Sequence, residues 1–119
     1  MEYNFTSEKP IYLQLMDCFK LRIVSGELQP GSKVDSVRDL AMDAKVNPNT
    51  MQKALAELER LGLVRSERTA GRFITDDEEK ISGMRSELFE SELTAFVKKM
   101  AALGFSKGDV EKALKTIEA

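Results

Sequence analysis

Asn47-Pro48-Asn49-Thr50-Met51-Gln52-Lys53 places three amides, a hydroxyl and an ammonium within about two helical turns. Amides donate and accept at once, so they suit the mixed edges of bases, while hydroxyls and ammonium groups suit phosphate oxygens. Such chemistry needs a helix that turns these groups outward. Asn47 reads as its N-cap and Pro48 as its first helical residue, where a missing N–H is harmless and the fixed φ is helical. Met51, Ala54, Leu55, Leu58 and Leu61 then recur on the opposite face, and Gly62 ends the helix in a left-handed cap.

The elements on either side must hold that helix in place. Ser36 and Asp39 form a capping-box pattern ahead of Val37, Leu40, Ala41 and Ala44, a narrow apolar stripe broken by Lys45-Val46. Two helix starts so close together force a sharp corner. After Gly62, Leu63-Val64-Arg65-Ser66-Glu67 and Arg72-Phe73-Ile74-Thr75 are β-prone runs joined through Arg68-Thr69-Ala70-Gly71, which reads as a hairpin. Helix, corner, helix and basic hairpin in this order are the grammar of a winged helix-turn-helix, which presents one helix to a DNA groove. The bland alternative is a compact three-helix core with a solvated polar face. A sharper rival is a winged helix that uses the same face to contact another protein and never binds DNA.

These residues resemble the N-terminal domain of the GntR family of bacterial transcription regulators, and the short chain is most similar to its YtrA-type subfamily. The matching pieces are Pro10-Ile11-Tyr12-Leu13-Gln14, Ser25-Gly26-Glu27-Leu28-Gln29-Pro30-Gly31-Ser32-Lys33, Ser36-Val37-Arg38-Asp39-Leu40-Ala41, Val46-Asn47-Pro48-Asn49-Thr50-Met51 and Gly62-Leu63-Val64. The resemblance implies DNA contacts at Arg38, Asn47, Pro48, Asn49, Thr50 and Gln52 and at the wing residues Ala70 and Gly71; Lys53 and Arg72 would add backbone or minor-groove charge. Three departures bear on the operator sequence. Val34-Asp35 stands where the family commonly has Leu-Pro, Pro48 where many members have Arg, and Thr69-Ala70-Gly71-Arg72 where a Gly-x-Gly-Thr wing is common. An acid at position 35 opposes nearby phosphate, Pro48 can only pack or touch sugar, and Arg72 returns charge to the wing.

The chain has 119 residues, 42% hydrophobic and 32% charged, which describes a globular protein with room for one compact domain and an appendage. No apolar run approaches a membrane span, and the N-terminus lacks a signal-peptide layout, so a cytoplasmic location without membrane association is expected. Cys18 is the single cysteine and histidine is absent, leaving almost nothing for a zinc site and no intramolecular disulfide. Cys18 reads as a small core residue of the first helix. With no histidine, no phosphate-binding glycine loop ahead of a basic residue and no paired carboxylates beyond ordinary surface acids, neither enzyme chemistry nor a cofactor is expected. Net charge is −2, yet nucleic acid responds to local potential: Arg60, Arg65, Arg68 and Arg72 cluster through the wing, and Asp76-Asp77-Glu78-Glu79 follows as an acidic helix start.

A first helix over Pro10 to Ser25, with Ile11, Tyr12, Leu15, Met16, Phe19 and Ile23 on one face, is expected to buttress this core, and Lys33-Val34 to add a short third strand. The expected fold is mainly α with a small β wing: a winged helix-turn-helix at 1–75, then a two-helix hairpin at 76–119 for dimerisation. The hairpin's stripe is Ile81, Met84, Leu88, Phe89, Phe96, Met100 and Leu103 on a helix of roughly 20 residues, or roughly 30 Å. A second helix follows the Ser106-Asp109 capping box, with Val110, Ala113, Leu114 and Ile117 on one face. So much apolar surface calls for a partner, most economically a second copy, the alternative being a monomer whose hairpin folds back. The expected function is a homodimeric, sequence-specific regulator, a repressor by occupancy, on an inverted-repeat operator in double-stranded DNA. Any small-molecule effector, unidentified here, would act through the dimer angle or the hinge near Asp76 to Lys80.

Overall fold

The computed structural model describes residues 3–118. Its elements are α1 (Ile11–Ser25), α2 (Val37–Ala44), α3 (Pro48–Arg60), β1 (Val64–Glu67), β2 (Gly71–Ile74), α4 (Glu78–Ala102) and α5 (Lys107–Leu114). Mostly helical with one small antiparallel sheet, they form a winged helix-turn-helix head and a helical hairpin. By their packing they divide into two units, one up to Met84 and one from Arg85 onward.

Local signals explain most boundaries. The Ser36 hydroxyl accepts from the Asp39 N–H at 3.1 Å, one half of the capping-box pattern, and Asn47 Oδ1 accepts from the Asn49 N–H at 2.7 Å. Pro10 is the N-cap of α1 and not part of its first turn; its carbonyl accepts from Leu13 and Gln14. At the corner, Lys45 takes the left-handed conformation at φ 57°, while the Val46 N–H returns to the Ala41 carbonyl at 3.0 Å. The end of α3 repeats this geometry with glycine: Gly62 sits at φ 79° and the Leu63 N–H reaches the Leu58 carbonyl at 2.9 Å. Lysine at the first of these two ends accepts a strain that glycine avoids.

The head's core lies where α3 packs on α1, α2 and β1. Leu15, Phe19, Ile23, Met51, Leu55, Leu58, Val64 and Ile74 are almost wholly enclosed. β1 and β2 pair from Val64↔Ile74 to Glu67↔Gly71, closed by Arg68-Thr69-Ala70 with Thr69 at φ 72°. The expected third strand shrinks to a single bridge, Lys33↔Phe73, although Val34 N–H donates to Arg72 O at 2.9 Å and Ile74 N–H to Ser32 O at 2.8 Å. Gln14, itself buried, ties the N-terminal segment to α1: its Oε1 accepts from Thr6 N–H and its Nε2 donates to the carbonyls of Thr6 and Lys9. Tyr3 stacks on Phe5 beneath the Arg22 guanidinium, and burial pushes its phenol up to about 12. Cys18 is half-buried rather than a core residue, with burial raising its thiol pKa.

α4 begins at an Asp77 cap, whose Oδ1 accepts from Lys80 N–H at 3.1 Å, and its first turns belong to the head. Ile81 is 4% exposed within the head core and Met84 packs against it, so both leave the expected dimerisation stripe. The break between units therefore falls after Met84, nine residues beyond the expected 75/76 boundary, because Ile81 is needed to close the core. The second unit is a hairpin: Phe105 N–H returns to the Met100 carbonyl at 3.0 Å to end α4, and Ser106 and Asp109 form both halves of a capping box to start α5. Leu88, Val97, Met100 and Val110 are half-buried there. Phe89, Leu93, Phe96, Leu103, Phe105, Leu114 and Ile117 stay exposed, and a groove of about 470 Å³ opens among Phe96, Met100, Phe105 and Leu114. Among the described residues no helix is long and apolar enough to cross a membrane.

Candidate nucleic-acid interface

α3 has one buried side, Met51, Ala54, Leu55 and Leu58, which fixes which residues face outward. Asn49, Gln52, Lys53 and Ala56 are exposed together on the other side, and Thr50 is half-buried at its edge. Among the described residues the side chains of Asn49 and Gln52 have no hydrogen-bond partner, so their amides are available to a ligand. Asn47 has spent its carbonyl oxygen on the cap, leaving its NH₂ to donate outward. Pro48 is exposed beside it without a donor. Arg38, on the solvent side of α2, is exposed and without an ion pair among the described residues.

The remaining cations are not equivalent. Lys53 Nζ lies over the Tyr12 ring at 4.1 Å from its centroid, which holds its ammonium against α1. Of the four arginines expected to form a basic cluster, Arg60 pairs with Glu57 and Arg65 pairs with Glu67 while covering the Phe73 ring. Arg68 and Arg72 keep no carboxylate partner among the described residues. The basic cluster is thus half neutralised locally, by acids only two or three residues from their arginines.

Ala70, Gly71 and Arg72 line a cavity of about 710 Å³ whose other wall is the segment from Lys33 to Val37. The Nε of Arg72 is buried without a hydrogen-bond partner among the described residues. Lys33 is exposed and its stem crosses Gly71: a Cβ on Gly71 would lie 3.2 Å from Lys33 Cε. Lys33, expected to begin a short third strand, alternates with buried Val34 and so turns to the side opposite the core. Among the described residues no group of acids and thiols is arranged to hold a metal ion.

The model of the bacterial regulatory proteins of the gntR family matches residues 11–74, more than half of the chain. The chain belongs to the GntR family. It is 43% identical over 116 residues to the HTH-type transcriptional regulator YhcF of Bacillus subtilis (strain 168), covering 98% of this chain and 96% of that one. A GntR family transcriptional regulator from Listeria monocytogenes superimposes with a TM-score of 0.86 at 33% identity, over 96% of this chain and 100% of the other. The AraR DNA-binding domain, solved in complex with operator ORX1, aligns at 25% identity and a TM-score of 0.58 over 63% of this chain and 96% of its own. The resemblance read from the motifs is therefore the family itself, and the chain is a DNA-binding transcriptional regulator rather than an enzyme.

Proposed function

We propose that the chain binds an inverted-repeat operator as a homodimer and represses transcription by occupying it. The observation that carries this reading is the exposed, unbonded Asn49 and Gln52 pair on the leading turns of a helix whose opposite side is wholly buried. Asn and Gln read adenine edges, Thr50 serves base or phosphate, and Arg38 on the preceding helix meets the backbone to set register. Asn47, Lys53, Ala70, Gly71 and Arg72 complete the surface around them. Pro48 contributes packing against sugar.

Dimerisation rests on the hairpin. Phe89, Phe96 and Leu103 are 56%, 43% and 63% exposed, and Leu88 and Met100 border them. Apolar surface of this extent is seldom left to water. A two-fold pairing of hairpins would carry two heads to half-sites about one helical turn apart, roughly 34 Å, or a multiple of it. A small-molecule effector would act by changing how well the two heads match those half-sites. The protein would work in the cytoplasm, where the operator is.

Titration of operator selected from a random duplex pool, at two salt concentrations and with sedimentation mass in parallel, tests the reading. A dimer whose affinity falls steeply with salt supports it, because counterion release accompanies phosphate neutralisation. A folded chain that ignores every duplex in low salt, or binds strictly as a monomer, refutes it.

A further inference from the structure

We propose that Tyr12, on the first turn of α1, is a positioning residue for DNA binding: its ring holds the Lys53 ammonium in place without neutralising it, ready for one phosphate of the duplex backbone. This rests on the DNA-binding reading above and adds to it a residue outside the helix-turn-helix and the wing. Lys53 stands one helical turn after Asn49 on the outward side of α3, and both are exposed. Its ammonium nitrogen lies 4.1 Å from the centroid of the Tyr12 ring, well inside the roughly 6 Å reach of a cation–π contact. The ring is itself held: Tyr12 is half-buried, packs against the head core and belongs to the helix that packs on α3. The usual partner for such a lysine is a carboxylate one turn away, and Glu57 occupies that place. Glu57 pairs instead with Arg60 at 2.9 Å, and Lys53 has no acidic partner among the described residues. A carboxylate would occupy the ammonium's donors and cancel its field. A ring face attracts the cation through its quadrupole and leaves the full charge, and N–H groups on the far side, to a polyanion. A long side chain already held in one place also loses less rotamer freedom when it meets a phosphate. The Tyr12 hydroxyl has no hydrogen-bond partner among the described residues, so the test must separate the ring from the hydroxyl.

The experiment is a double-mutant cycle of Tyr12→Leu, Lys53→Met and the two together, with Tyr12→Phe beside them. Each is titrated with operator and scrambled duplexes across a salt series and checked for its fold by circular dichroism. Lys53→Met should make the slope of log K against log salt shallower by about 0.9, the mark of one phosphate, with the preference for operator unchanged. Tyr12→Leu should weaken both duplexes by about two- to fivefold, the worth of an exposed cation–π contact, and keep the wild-type slope because Lys53 still reaches its phosphate. In the Lys53→Met background Tyr12→Leu should cost nothing further, and Tyr12→Phe, which keeps the ring face, should bind within about twofold of the wild type. Equal losses from Tyr12→Leu with and without Lys53 would leave Tyr12 a merely structural role and overturn the proposal. So would a Tyr12→Phe loss as large as that of Tyr12→Leu, which assigns the effect to a hydroxyl that bonds phosphate directly, or an unchanged slope in Lys53→Met. If Tyr12→Leu does not fold, ring-current shifts decide. The Lys53 ε-methylene protons should resonate upfield of an ordinary lysine in the wild type and in Tyr12→Phe, and ordinary positions in both refute the contact. Wild-type chain that binds no duplex refutes the DNA reading itself, whereas salt-dependent binding without coupling between Tyr12 and Lys53 refutes only the positioning.

Discussion

Ile81→Ala separates core from interface within a single helix. Ile81 is 4% exposed in the head core although it stands on α4, whose later turns carry the exposed apolar residues of the hairpin. Removing its side chain forfeits transfer energy and leaves a cavity, together about 2 to 5 kcal/mol, with a few tenths returned by the higher helix propensity of alanine. A net loss of about 2 to 4 kcal/mol would lower the melting point by about 10 °C or more for a head of this size. Urea unfolding followed by circular dichroism, repeated over a hundredfold range of protein concentration, reads that loss. The shift should be the same at every concentration, since no partner chain is involved. For the homodimer proposed above, sedimentation should give an unchanged Kd with Ile81→Ala and a weakened one with Phe96→Ala, which in turn leaves the unfolding of the head alone. A loss below about 1 kcal/mol for Ile81→Ala, accompanied by weakened self-association, would return Ile81 to the interface and refute the reasoning.

Arg38→Ala should weaken binding to all duplexes and make the salt dependence shallower by about one contact, whereas Gln52→Ala should change which base is preferred at one position; equal losses with unchanged preference would reverse the two roles. Gly62→Ala places a Cβ at φ 79° and 2.4 Å from Lys80 Nζ, displacing the ammonium that donates to Leu61 O. Left-handed strain of about 1 to 2 kcal/mol, only partly offset by the stiffer unfolded chain, predicts a net loss of about 1 kcal/mol or more in urea unfolding, and a neutral result would contradict it. Asp109 is held below the usual carboxylate pKa by the Ser106 N–H and then by its hydroxyl. A lowered folded pKa means that the cap's contribution to α5 is complete above the ordinary carboxylate pKa and is lost as pH falls through the folded value. The Ser106 amide resonance should report that loss on acidification and cease to do so in Asp109→Asn; an identical titration in the variant would exclude the cap as its cause.

The interface was legible where its signals are local. Asn47 caps α3 and Pro48 occupies its first turn because those side chains satisfy, or do not need, the backbone N–H groups next to them. The outward set Asn49, Gln52 and Lys53 follows from the buried set Met51, Ala54, Leu55 and Leu58 by helical period alone. Charge was legible as a local cluster of arginines. That Glu57 and Glu67 neutralise Arg60 and Arg65, while Arg68 and Arg72 keep no carboxylate partner among the described residues, depends on rotamers that no residue type announces.

The sequence by itself determined the order of elements, the corner at Lys45-Val46, the hairpin wing and the polar leading face of α3, since each is specified by hydrogen bonds and φ preferences between residues at most a few positions apart. Only the tertiary structure decided that Ile81 closes the head core, that Lys53 rests on Tyr12 and that the Lys33 stem lies against Gly71. The last two of these contacts join residues 41 and 38 positions apart, and an apolar or basic side chain is chemically suited to many partners. The packing of the whole chain selects among them.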